Sequence, residues 1–149
     1  MSGETPRQTK QPMRGVLTVH ERRTLSAAVA RLVLDPPDDL SARIEGRIAT
    51  LAAHKIDEVR AGLRLFGGVV ATFVSVRQLT PFHTLPASQQ DRMLHAWRDS
   101  PLPQARTLFQ LMRRLTLVTH CSDPRSYAGI GYRGAVAPRH RFSRDIGIR

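Results

Sequence analysis

Apolar residues recur along this chain at spacings of three and four, the signature of amphipathic helices. Thr18 followed by Glu21 forms a capping box, which starts a helix at Thr18. Leu25, Ala28, Val29, Leu32 and Val33 give that helix one apolar face, and Pro36-Pro37 stops it. Leu40, Ile44, Ile48 and Leu51 then fall on one face of a second helix. Ile56, Val59, Leu63, Phe66, Val70 and Phe73 alternate spacings of three and four. They predict a third helix with a heptad-like seam running through Gly67-Gly68. Each glycine inside a helix costs about 1 kcal/mol relative to alanine. The pair therefore points to close approach of another backbone or to a kink. Composition alone also fits a strand over residues 66–76, but the spacing carried across it favours helix.

Thr80-Pro81 ends this run, and residues 82–90 read as a linker in which Ser88 or a neighbour caps the next helix. Arg92, Met93, Leu94 and Trp97 lie on that fourth helix. Ser100 as N-cap and Pro101 at the first helical position open a fifth. Its buried stripe is Ala105, Leu108, Phe109, Met112, Leu115 and Val118. The predicted fold is all-α: about five helices in an irregular bundle, followed by an extended C-terminal Gly/Tyr strap. Residues 1–16 form a flexible basic arm, 17–123 the helical domain, and 124–149 the strap and a basic tail.

A length of 149 residues suits one domain with a real core. The formal net charge of +11, nearly all of it arginine, fits nucleic acid, an anionic membrane surface or an acidic protein partner. Cys121 is the only cysteine, so no internal disulfide and no cysteine zinc cage can form. A buried small residue at a helix end is its expected role. No stretch approaches the roughly 18 apolar residues of a membrane span. The segment after Arg22-Arg23 is interrupted by Arg31 and Asp35 and reads as a helix, not a leader, so the expected location is cytoplasmic, or wherever a partner carries the chain.

The candidate chemistry is thin. None of the histidines 20, 54, 83, 95, 120 and 140 pairs at the i, i+3 or i, i+4 spacing of two metal ligands on one helical face. His120 and Cys121 are adjacent, and so point about 100° apart on a helix. Asp38-Asp39 sits at a helix start and Asp57-Glu58 on a basic flank; neither is a paired acid and base. Gly129-Ile130-Gly131-Tyr132-Arg133-Gly134 matches the dinucleotide fingerprint G-x-G-x-x-G. That fingerprint needs an apolar strand before it and a helix after it. Here a turn-like stretch with Pro124 precedes it, and Pro138 interrupts any new helix on its C-terminal side. Asp145 lies too close to be the ribose acid expected about 20 residues on. No catalytic, cofactor-binding or metal-ligating residue is assigned. Charge alone supports one alternative, a basic helical nucleic-acid-binding protein whose tail carries Arg133, Arg139, Arg141, Arg144 and Arg149. It has no helix-turn-helix signature and no aromatics interleaved with its basic residues.

From Phe82 onward the chain reads F-x-x-L-P-x-x-x-x-D-R-x-L-x-x-W, then S-P-L-P-x-x-R-x-x-F-x-L-x-x-R-L, then D-P-x-x-Y-x-x-I-G-Y-x-G. These motifs resemble the gluconate 2-dehydrogenase subunit 3 family. They also resemble the helical segment that precedes the flavin domain in long-chain alcohol oxidases of the glucose-methanol-choline oxidoreductase superfamily. The likeness extends over residues 17–135 and is dense only after Phe82. Tyr127 stands where relatives often carry tryptophan, and Thr119-His120 where they carry a more aromatic helix end. The resemblance implies a non-catalytic small subunit bound to a large FAD-dependent alcohol dehydrogenase or oxidase, with the FAD and the catalytic histidine in the partner. It implies a partner interface at Trp97, Arg106, Tyr127, Gly131, Tyr132, Arg133 and Gly134. On that reading the glycines let a tyrosine-bearing strap approach the partner closely.

Overall fold

The structure is a computed structural model, and it describes residues 15–127. The chain runs α1 (Val19–Leu32), α2 (Leu40–Ala49), α3 (Ala53–Gly67), α4 (Val69–Val76), a 3-10 turn (Phe82–Thr84), α5 (Ala87–Arg98), α6 (Pro103–Cys121) and α7 (Pro124–Tyr127). The described residues are all-helical, with no strand among them.

The capping box at the head of α1 forms as the sequence predicts. Thr18 N donates to Glu21 Oε2 at 2.8 Å, and Glu21 N donates to Thr18 Oγ1 at 3.3 Å. The chain packs slightly earlier than a free arm through residue 16 implies, since Val16 is already half-buried against the core. α1 is the central element and touches α2, α3, α5, α6 and the 3-10 turn. Its Leu25, Ala28 and Val29 meet Leu40, Ile44 and Ile48 of α2 and Leu63 and Phe66 of α3 in one buried cluster. Phe66 organises the centre. Its ring lies 4.5 Å from that of Phe82 and takes the Trp97 indole edge-on at 4.9 Å.

The third predicted helix is two helices. α3 ends at Gly67, Gly68 is extended at φ −73° and ψ 151°, and α4 leaves at a bend of 52°. Just before the bend, α3 packs tightly on α1. A Cβ on Gly67 would overlap Thr24 Oγ1 and stand 2.9 Å from Thr24 Cγ2. The close approach is thus by a side chain, and the kink comes directly after it. The break also turns the register. Val59, Leu63 and Phe66 are buried, but Val70 is 77% and Phe73 41% exposed. Thr72 faces inward instead, and its hydroxyl donates to the Thr80 carbonyl at 2.6 Å.

Smaller differences have local causes. α5 begins at Ala87, with Pro86 rather than Ser88 before it. α6 begins at Pro103, with Leu102 at the N-cap, so Pro103 and not Pro101 occupies the first helical position. Ser100 still serves this junction, because its Oγ accepts from Leu102 N at 3.1 Å. Leu51 and Val118 are exposed, while Thr116 and Thr119 take the inward positions of the last turns of α6. Cys121 is exposed, not buried. Pro124–Tyr127 is a helical turn rather than the start of an extended strap. No single described helix is long and apolar enough to cross a membrane; α3 and α4 pass that test only as a bent pair.

Candidate partner-docking surface

α4 has the sequence VVATFVSV and carries no charge. A helix that apolar normally belongs in a core. Here only Thr72 is buried, while Val69, Val70, Phe73 and Val74 face outward, the last at 72% exposure. Leu65, Leu79 and Leu102 are also exposed. Exposed apolar side chains gathered on one helix are uncommon on a folded protein and make this face a candidate interaction site.

The α4 face borders a groove of about 380 Å³ formed with the last turn of α5 and the first turn of α6. Its walls include Leu65, Val70, Val74 and Leu102, and small residues such as Ala71 and Ala105 keep it open. Trp97 also lines it, but Trp97 is only 7% exposed. The indole is committed to the interior, edge-on to Phe66, with Nε1 donating to Ser75 Oγ at 3.3 Å. Trp97 therefore shapes the groove from beneath and offers a partner little surface of its own.

A second cleft, of about 660 Å³, lies across the first turns of α6, toward the end of α2 and the start of α3. Leu51, Val59, Leu111 and Leu115 line it together with Arg106 and Arg114. Arg106 is exposed, and its Nη1 donates to the Ser100 carbonyl at 2.6 Å. That bond ties α6 to the loop between α5 and α6, whose Ser100 and Leu102 line the groove. Trp97 and Arg106 thus bear on one region, one from below and one from the rim.

Tyr127 is elsewhere. It is half-buried on α7, which packs against α6 beyond that helix's C-terminus, while the groove meets the N-terminus of α6. An ionic clasp holds α7. Arg125 Nη2 lies 2.8 Å from Asp123 Oδ2 and 2.9 Å from Asp39 Oδ2, and Arg43 Nη1 is 2.9 Å from the same Asp123 oxygen. The Arg125 guanidinium holds the carboxyls of both Asp123 and Asp39 below the usual aspartate range. Gly131, Tyr132, Arg133 and Gly134 lie outside the described residues, as does the arm before Gly15.

A further buried charge supports the surface from behind. Glu21 is fully buried. Burial alone raises its pKa, but the Thr18 N–H and Arg60, whose Nε lies 3.2 Å away, more than offset that and hold it below the usual range. Arg64, next to Leu65 on α3, reaches the same carboxylate at 3.7 Å. Among the described residues no group of three or more His, Cys, Asp or Glu side chains is placed to hold a metal ion.

The sequence reading missed the α4 face because it assigned Val70 and Phe73 to a continuous seam. The signal that could have found it was the run of uncharged residues directly after Gly67-Gly68. Compared with protein-family models, curated proteins and solved structures, the chain matches none.

Proposed function

We propose that this chain is a non-catalytic helical subunit that binds and stabilises a large FAD-dependent alcohol dehydrogenase or oxidase of the glucose-methanol-choline type. One observation carries the docking role: α4, an uncharged apolar helix, turns its valines and Phe73 outward beside an apolar groove. The class of partner rests on the motifs from Phe82 to Gly134. On this reading the partner holds the FAD and the catalytic histidine, this chain holds no cofactor, and the complex works in the cytoplasm. A basic nucleic-acid-binding protein is the second reading, favoured by the net charge of +11. It leaves the α4 face without a role, because phosphate contacts need donors and cations that valines lack.

The test is co-expression with a flavoprotein of that class, followed by affinity capture through this chain. A yellow, stoichiometric complex is expected. Val70→Asp with Val74→Asp should break it, because charging the centre of a docking face removes anchor contacts worth about 2 kcal/mol or more, roughly 30-fold in affinity. Both positions are largely exposed, so the fold should survive. Capture of nucleic acid in place of a flavoprotein, or a complex indifferent to both substitutions, would overturn the proposal.

A further inference from the structure

A separate cleft of about 370 Å³ lies among α1, α5 and α6. α5 presents to it the stripe Asp91, Leu94, His95 and Arg98, whereas the α4 groove takes Ala96 and Trp97 from the same helix. Its apolar lining includes Leu94 and Phe109, both buried, and Leu117, which is partly exposed. Its polar lining is basic: Arg31, His95, Arg98 and Arg113, against the single carboxylate of Asp91.

These charges are not equally free to bind. Asp91 is already matched by Arg31, whose Nε and Nη2 donate to its two oxygens at 2.7 and 2.6 Å. Arg98 is paired with its neighbour Asp99 at 2.9 and 2.7 Å. That pair is largely exposed, so it contributes little and yields readily to a better acceptor. Arg113 is exposed and has no hydrogen bond or ion pair among the described residues. An uncommitted guanidinium offers a planar fork that matches a carboxylate or a phosphate. An apolar wall beside such a fork is the usual make-up of a small-ligand site, where greasy surface supplies contact area and a few polar groups fix orientation.

We propose that this cleft binds a small organic anion, a carboxylate or phosphate head on an apolar body, with Arg113 gripping the head beside Arg98 and with Leu94, Phe109 and Leu117 covering the body. A nucleic acid fits the same arginines less well. Its lining has no succession of exposed aromatic faces on which bases could stack, His95 being its one exposed ring. The site is independent of the α4 face and of the identity of the protein partner.

The experiment is an NMR titration of the full chain, following the methyl resonances of Leu94 and Leu117. The probes are 2-naphthoate, its uncharged analogue 2-naphthamide, inorganic phosphate and a single-stranded oligonucleotide. Saturable shifts with 2-naphthoate are expected, at an affinity at least tenfold above that of 2-naphthamide. Arg113→Gln should weaken 2-naphthoate at least tenfold without loss of fold, since Arg113 supports no other described group. Val74→Asp on α4 should leave the binding unchanged. The proposal is overturned if 2-naphthamide binds as well as 2-naphthoate, if Arg113→Gln has no effect, if the shifts map to α4, or if no saturable shift appears. It is equally overturned if phosphate or the oligonucleotide binds as tightly as 2-naphthoate, because charge alone would then explain the contact.

Discussion

Replacing Gly67 by alanine tests whether contact with Thr24 requires a glycine at the end of α3. The backbone at Gly67 is not in the left-handed region, so alanine suffers no conformational strain there. Helix propensity by itself predicts a gain of up to about 1 kcal/mol. Packing predicts the opposite. The added Cβ would overlap Thr24 Oγ1 and lie 2.9 Å from Cγ2 and 3.1 Å from Cβ. Thr24 is fully buried, and a β-branched side chain in a helix has little rotamer freedom to escape. Overpacking of a filled interior costs about 1–3 kcal/mol. The net expectation is a loss of about 1–2 kcal/mol, or roughly 3–10 °C in Tm for a chain of this size. Gly46→Ala is the control. It lies in α2 with nothing within 4 Å of its would-be Cβ, so it should stabilise by up to about 1 kcal/mol. Thr24→Ala removes the two nearest atoms and should restore most of what Gly67→Ala loses, which makes the pair strongly non-additive. Thermal and urea unfolding followed by circular dichroism compare Gly67→Ala, Gly46→Ala, Thr24→Ala and the Gly67→Ala/Thr24→Ala double variant with the wild type. If Gly67→Ala is as stable as Gly46→Ala, or if the two substitutions simply add, contact with Thr24 does not explain the glycine.

Trp97→Ala should cost about 3–5 kcal/mol, because it empties the space beside Phe66 and removes the bond to Ser75. A variant with wild-type melting and a defect only in partner capture would show that the indole belongs to the interface instead. Acid should destabilise the protein in two stages. Burial, with His20 and Arg23 nearby, pushes His83 below its ordinary 6.5, so the unfolded chain takes up that proton first. Its contribution is full above that value and is lost as pH falls through the folded pKa. His83→Gln should remove this first stage from a plot of Tm against pH. Asp39, Asp123, Glu21 and Glu45 are held below ordinary values of 3.8 for aspartate and 4.5 for glutamate, so their contribution is present above those values and lost below them. Asp123→Asn should shrink that second stage, and a profile unchanged by it would refute the clasp. In the captured complex, raising salt should mainly slow association, while Val70→Asp should mainly speed dissociation. The reverse pattern in a binding-kinetics measurement would mean that charge, not α4, holds the partner.

What the sequence made legible was whatever is settled within a few residues. Thr18 and Glu21 are three apart, so the capping box needs no tertiary information and forms as expected. The apolar stripes of α1, α2 and α6 are set by the helical repeat alone, and most of their members are buried. The tight packing at the end of α3 was not legible, because it involves Thr24 on another helix. Nor was the first turn of α6. Pro101 and Pro103 both suit a first helical position, and the structure chooses the second, leaving Ser100 to bond Leu102 N and its carbonyl to receive Arg106.

The docking surface was hidden by the same limit. A spacing of three and four identifies one face of a helix, but it does not say whether that face is covered by this chain or by another. Val59, Leu63 and Phe66 continue in register to Val70 and Phe73, so a single uninterrupted helix would have put all of them on one face. The break after Gly67 separates the two groups, sending the first into the core and the second outward. Trp97 shows the converse. Its place in a motif points to a partner, yet its ring is spent on Phe66. Motif residues can therefore act on an interface at one remove: Trp97 holds up the wall that Val70 and Val74 present, and Arg106 pins the loop beside it. An apolar face left exposed in this way is costly to keep in water. On the proposed reading a protein partner covers this face, because its valines and Phe73 offer a phosphate backbone neither donor nor cation.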